Sequence, residues 1–166
     1  GAGTVNSVDQ LHAVADAGAS FAVSPGTQPA VLRAARERVL PFVPGVCTPT
    51  EIDLAMSHGC RLLKFFPAET MGGTRTLAAV AAPYDRAVRF VPTGGVKLAT
   101  LPSYLARPEV LAVGGSWIVK ATDGPPDEAA IETAAREAID AARHARPNGA
   151  GPMPPPLPVR AAASRE

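Results

Sequence analysis

Of the three lysines in this chain, Lys64 stands inside Arg61-Leu62-Leu63-Lys64-Phe65-Phe66-Pro67-Ala68-Glu69, a run with the composition of a buried strand. Alternation along a strand puts Leu62, Lys64 and Phe66 on one face and Arg61, Leu63 and Phe65 on the other. An amine flanked by leucine and phenylalanine loses hydration, which disfavours its charged form and lowers its pKa. The free amine so produced can attack a ketone and form a Schiff base, a reaction that a hydrated surface ammonium performs poorly. A structural lysine that reaches water as the strand ends before Pro67 also fits this segment taken alone. Lys97, after a Gly-Gly turn, and Lys120, after a strand-like run, read as solvated charges.

A second chemistry is suggested by Thr93-Gly94-Gly95 and Gly114-Gly115-Ser116, which close consecutive apolar runs late in the chain. Glycines let the backbone approach a ligand closely, and N–H groups exposed at loop and helix starts bind anions. A Gly-Gly pair by itself often makes only a tight turn. Two pairs on adjacent strands, the second followed by a hydroxyl donor, point to a phosphate-sized anion.

The elements that must position these groups follow a repeat. Apolar runs at Phe21–Val23, Pro41–Val43, Leu62–Phe66, Val88–Val91 and Val110–Val113 alternate with helical patterns at Val8–Ala17, Pro29–Arg38, Pro49–His58, Thr74–Ala82, Leu98–Leu105 and Asp127–Arg146. Ser7 with Gln10, and Thr48 with Pro49 and Glu51, read as capping boxes, while Gly18 and Gly59 stand where helices stop. This is βα architecture with a parallel sheet, whose C-terminal strand edge carries the site. Thr4, Ser24-Pro25-Gly26, Pro44-Gly45, Pro67 and the two glycine blocks all fall at that edge. Counting the opening stretch, the pattern predicts an α/β fold, an eight-stranded (β/α)8 TIM barrel lacking about its first two strands, with an open doubly wound sheet as the alternative. Such an open barrel is expected to be unstable by itself unless something fills the gap. In a barrel the glycine blocks would fall after the seventh and eighth strands, a frequent phosphate position.

Composition narrows the function classes. A net charge of +1 with no basic stripe argues against a nucleic-acid partner, and no apolar span of membrane length or secretory leader is visible, which predicts a cytoplasmic location. Cys47 and Cys60 form no CxxC pair, and His12, His58 and His144 show no ligand spacing to them, so neither metal nor cofactor is expected. Phe65, Phe90 and Trp117 read as core rather than as a binding surface. The chain opens on Gly1 with a strand-to-loop pattern already under way, which suggests a fragment. Residues 147–166 carry six of the 18 prolines and read as a disordered tail after a domain at 1–146.

Gly1-Ala2-Gly3-Thr4, Ser24-Pro25-Gly26, Pro44-Gly45-Val46-Cys47-Thr48, Lys64-Phe65-Phe66-Pro67-Ala68-Glu69, Pro92-Thr93-Gly94-Gly95 and Gly114-Gly115-Ser116-Trp117, in this order, resemble the 2-keto-3-deoxy-6-phosphogluconate (KDPG) and 4-hydroxy-2-oxoglutarate (KHG) aldolases. The resemblance runs from Gly1 to about Arg143. It implies a class I aldolase of the Entner–Doudoroff pathway, a homotrimer on a TIM barrel, that cleaves a phosphorylated keto acid to pyruvate and glyceraldehyde 3-phosphate. Lys64 matches the Schiff-base lysine. Thr4, Pro25 and Phe66 match residues lining the pyruvyl pocket, Thr93 a contact to the substrate chain, and Gly94, Gly95, Gly115 and Ser116 the phosphate loops. Threonine at position 93 leans toward the gluconate rather than the galactonate substrate. The resemblance also implies a general-base glutamate and a carboxylate-binding arginine upstream of the Gly-Ala-Gly-Thr block, where this sequence has not begun, so this stretch alone is expected to be impaired. Glu69, the carboxylate nearest Lys64 in sequence, is expected to make a loop contact rather than to replace that base. Two other readings remain: a phosphate-binding barrel isomerase or synthase without covalent lysine chemistry, and a non-functional truncated domain.

Overall fold

A computed structural model describes residues 1–119, 125 and 127–146. The expected tail at 147–166 and Lys120 lie outside the described residues. Among the described residues five short strands are present: β1 Ala22–Val23, β2 Phe42–Val43, β3 Gly45–Val46, β4 Leu62–Phe65 and β5 Arg89–Pro92. Six α-helices among the same residues follow or separate them: α1 Val8–Asp16, α2 Pro29–Glu37, α3 Pro49–Ser57, α4 Gly73–Ala81, α5 Leu101–Leu105 and α6 Glu128–Ala145.

Local chemistry sets most helix boundaries. At α3 the Thr48 side chain accepts from the Glu51 amide while the Glu51 carboxylate accepts from the Thr48 amide, with Pro49 in the first turn. Ser7 caps α1 by accepting from the Gln10 amide, but the Gln10 side chain reaches past it to the Asn6 amide at 2.7 Å, so the expected reciprocal box is only half made. Helix α5 begins three residues later than its apolar pattern suggests. Lys97 and Thr100 form a closed turn there, and Pro102 suits a first helical turn.

All pairings are parallel and run in chain order. Strand β1 pairs with β2, β3 with β4, and β4 with β5, while single bridges Ala2↔Ala22, Phe90↔Val110 and Thr93↔Gly114 extend the arc at both edges. Two expectations change. The opening stretch and Val110–Val113 appear as isolated bridges rather than as strands. Pro44-Gly45, expected as a turn closing its strand, instead continues it. Proline has no N–H for the ladder, so pairing breaks at Pro44, yet the chain stays extended and resumes at Gly45, now against β4.

The two faces of this arc differ sharply. Ala22, Val46, Leu63, Phe65 and Phe90 point toward the helices and are at most 2% exposed, within apolar clusters that include Leu11, Val31, Ile52, Leu77 and Tyr104. Phe65 and Phe90 are thus core, as expected; burying each such ring contributes about 2–3 kcal/mol, and Phe65→Ala would cost about 3–5 kcal/mol. Val23, Val43, Leu62, Lys64 and Val91, on the other face, are only half-buried. At the N-terminal strand ends, arginines tie loops together. Arg61 donates to the Ala87 carbonyl at 2.9 Å, Arg89 to Val110 at 3.0 Å, and Arg146 to Leu105 at 2.9 Å and Arg107 at 3.1 Å.

Candidate active site

Strand β4 presents Lys64 on the inward face, between Gly45 of β3 and Val91 of β5 in register. Its own amide donates to the Pro44 carbonyl at 2.8 Å, which fixes the backbone at this point. The Lys64 Nζ lies 4.6 Å from the centroid of the Phe66 ring, a cation–π distance when the amine is charged. Burial holds the ammonium's pKa below its usual value, the direction required of a nucleophilic amine.

Gly45 has a further role. A Cβ at this position would sit 2.0 Å from the Pro25 carbonyl oxygen, so glycine is what lets the 24–27 loop dock beside Lys64. Thr27 Oγ1 donates to the Gly45 carbonyl at 2.8 Å, and the buried Ser24 hydroxyl donates to the Gly26 carbonyl at 2.5 Å. Pro25 is thereby brought to the strand next to the lysine.

On the other side of β4, Thr93 stands two residues beyond Val91 and so shares the inward face with Lys64. Its amide donates to Phe65 at 2.9 Å and its carbonyl accepts from Ala68 at 2.9 Å. Gly94 and Gly95 follow with φ of 99° and 78°, a left-handed pair that side chains rarely tolerate. A Cβ on Gly94 would press on the Phe66 ring at 3.2 Å, and one on Gly95 would meet the Glu69 Cβ at 2.8 Å. Gly114 bridges Thr93, and a Cβ there would lie 2.7 Å from Thr93 Oγ1. The Trp117 ring lies against Gly115, while Ser116 is exposed.

Lys64, Pro25, Phe66, Thr93, Gly94, Gly95 and the 114–116 turn therefore gather along one strand edge. Thr4 belongs to the opening segment, which bridges β1 through Ala2. It has φ of 61°, is exposed, and stands at the far edge of the arc, with β1 and the 42–46 strand between it and β4. Lys97 is exposed. Glu69 is engaged: its Oε1 accepts the Tyr104 hydroxyl at 2.7 Å. The sequence pattern did not disclose the Gly45 socket or the Glu69–Tyr104 bond; only the Pro-Gly-Val spacing hinted at the first. Among the described residues, no group of His, Cys, Asp and Glu side chains is arranged to hold a metal ion, and no helix is long and apolar enough to cross a membrane.

The family model for KDPG and KHG aldolase matches residues 1–134. This chain belongs to that family. The KHG/KDPG aldolase of Escherichia coli K12 is 46% identical over 144 residues, covering 86% of this chain and 67% of that protein. The crystal structure of the Zymomonas mobilis ZM4 KDPG aldolase with 3-phosphoglycerate superposes with a TM-score of 0.79 at 40% identity, over 83% of this chain and 65% of that one. A Legionella pneumophila KDPG aldolase, in which pyruvate was captured at low pH as a covalent carbinolamine intermediate, matches with a TM-score of 0.71 at 37% identity, over 87% of this chain and 67% of that one. The chain thus spans about two thirds of the length of these KDPG-family relatives.

Proposed function

We propose that this chain carries the Schiff-base centre of a class I aldolase that cleaves KDPG to pyruvate and glyceraldehyde 3-phosphate, with Lys64 as the nucleophile. The observation that carries this assignment is the placement of the Lys64 amine: inward on β4, its charge disfavoured by burial, over Phe66 and beside the Thr93–Gly95 turn. The neutral amine adds to the C2 ketone, and the carbinolamine loses water to give an iminium. That iminium accepts the electron pair of the C3–C4 bond once a base removes the C4 hydroxyl proton, releasing the aldehyde and leaving an enamine. Protonation at C3 and hydrolysis then return pyruvate and the free lysine. The covalent carbinolamine of the Legionella pneumophila relative corresponds to the first of these steps.

In this proposal Pro25 and Phe66 flank the pyruvyl group, Thr93 contacts the substrate chain, and Gly94, Gly95, Gly115 and Ser116 receive the phosphate. Thr4, on the opening segment beside β1, lines the pyruvyl pocket in this reading. Closure into a barrel requires more strands than the described arc holds, and its half-exposed inner face agrees with that need. Those strands would also supply the base, because Glu69 is occupied by Tyr104. The 166 residues alone are therefore expected to turn over slowly, and deletion of residues 147–166 to leave the chemistry of the 1–146 domain unchanged. The homotrimer and cytoplasmic location belong to the same proposal, and light scattering on the intact protein tests the former.

The deciding experiment is borohydride reduction in the presence of pyruvate, followed by peptide mapping. Modification at Lys64 and not at Lys97 is expected. An unmodified Lys64 in folded, intact protein would transfer the chain to the non-covalent phosphate-binding isomerases or synthases. Undiminished turnover by residues 1–166 alone would show that no further base is needed.

A further inference from the structure

Glu69 follows the lysine strand directly, yet the proposed chemistry leaves its carboxylate without a task. Its surroundings are specific. The Glu69 amide donates to the Gly94 carbonyl at 3.0 Å, and the preceding Ala68 amide donates to Thr93 at 2.9 Å, so the turn after β4 is stitched to the turn after β5. The Glu69 stem fills the space over Gly95, where an added Cβ would come within 2.8 Å of its own Cβ. Its carboxylate is then anchored from α5 by Tyr104, whose hydroxyl donates at 2.7 Å and whose ring is only 1% exposed. Tyr104 cannot move without disturbing the main apolar cluster. Gly73 closes the other side, with a virtual Cβ 3.4 Å from the Tyr104 hydroxyl.

We propose that Glu69 and Tyr104 are positioning residues that hold the Gly94–Gly95 turn in the left-handed form that receives the phosphate of the substrate. This rests on the aldolase reading above and extends it from Lys64 to discrimination between phosphorylated and unphosphorylated keto acids. Two consecutive glycines lose more backbone freedom than other residues when held in one conformation. A rigid strut reaching from the core to the outer side of the turn fixes that conformation before ligand arrives, so less ordering is left to be done on binding. The hydrogen bonds of the strut run to the Thr93–Gly94 backbone and to Tyr104, which places its action at the phosphate end.

The test compares KDPG with KHG, a keto acid that carries no phosphate, as substrates for the intact protein, alongside pyruvate trapping by borohydride. Tyr104→Phe keeps the buried ring and removes the bond, and Glu69→Ala removes the anchor. Each is expected to raise KM for KDPG about tenfold, in line with loss of one charge-assisted hydrogen bond, with kcat little changed and kcat/KM for KHG unaltered. Glu69→Gln keeps an acceptor for Tyr104 and is expected to restore KM for KDPG to the parent value or below. Trapping at Lys64 proceeds at the parent rate in all three variants. Parallel losses on both substrates, or an unchanged KM for KDPG in both disrupting variants, would overturn the proposal. Absence of trapping in the parent protein would instead overturn the aldolase reading itself.

Discussion

The two ends of the sheet are built from different chemistry. At the C-terminal ends of the strands stand Lys64, glycine turns and threonine hydroxyls, held mostly by backbone hydrogen bonds and by glycines pressed against Phe66, Glu69 and Pro25. At the opposite end Arg61, Arg89 and Arg146 donate to loop carbonyls, Arg107 pairs with a nearly buried Glu109, and burial pushes the Cys60 thiol beside Arg61 up to a pKa of about 11, which keeps it protonated. One end leaves groups available to a ligand; the other spends its polar groups on the chain itself. The contrast teaches that charge in this molecule marks stability and that its near absence marks the candidate chemistry, the reverse of a first guess from residue type.

The comparison can be broken most decisively at Lys64. Lys64→Ala is expected to lower kcat/KM in the intact protein by a factor of about 10³ or more, since the proposed iminium forms on that amine. Its melting temperature is expected to stay level or rise, because a partly desolvated ammonium is removed. A kinetic assay paired with a thermal melt checks both. A large loss of stability would mean that this end, too, is structural.

Arg146→Ala is the mirror experiment. It strips hydrogen bonds from the Leu105 and Arg107 carbonyls and is expected to cost about 2–3 kcal/mol in a denaturant titration, with trapping at Lys64 unchanged in the folded protein. Loss of trapping without loss of stability would erase the distinction between the ends. A smaller effect sharpens it: Thr48→Ala, at the C-terminal edge but in a capping box rather than at the site, is expected to cost about 1 kcal/mol of stability and no activity.

The finest test is pH. Burial lowers the folded-state pKa of Lys64 below its unfolded value. Between those two values the unfolded chain binds the additional proton, so stability gains with rising pH across that window, and below the folded value the buried charge is a standing cost. Pyruvate trapping followed against pH is accordingly expected to rise with a midpoint below that of an ordinary lysine. A midpoint at the ordinary value would place the amine in bulk-like water.

Much of this was legible locally. The Thr48–Glu51 box, the stops near Gly18 and Gly59 and the alternation around Lys64 are short-range effects, written within four or five residues of the element they control. What escaped depends on distance along the chain. Tyr104 meets Glu69 across 35 positions, Arg146 meets Leu105 across 41, and Thr27 meets Gly45 across 18. Edge segments misled for a related reason. Gly1–Val5 and Val110–Val113 have strand composition, but each finds a neighbour on one side only among the described residues, and isolated bridges with a few backbone hydrogen bonds take the place of a ladder.

The break at Pro44 has a dynamic consequence. Because the ladder changes partner there, β1 and β2 with α1 and α2 form one apolar cluster while β3 to β5 with the later helices form another. Amide exchange in native protein would therefore sort into two cooperative units meeting at one residue that has no amide proton to report. The lysine sits on the later unit and the Pro25 loop on the earlier one, so any opening between the units would separate the nucleophile from one wall of its pocket.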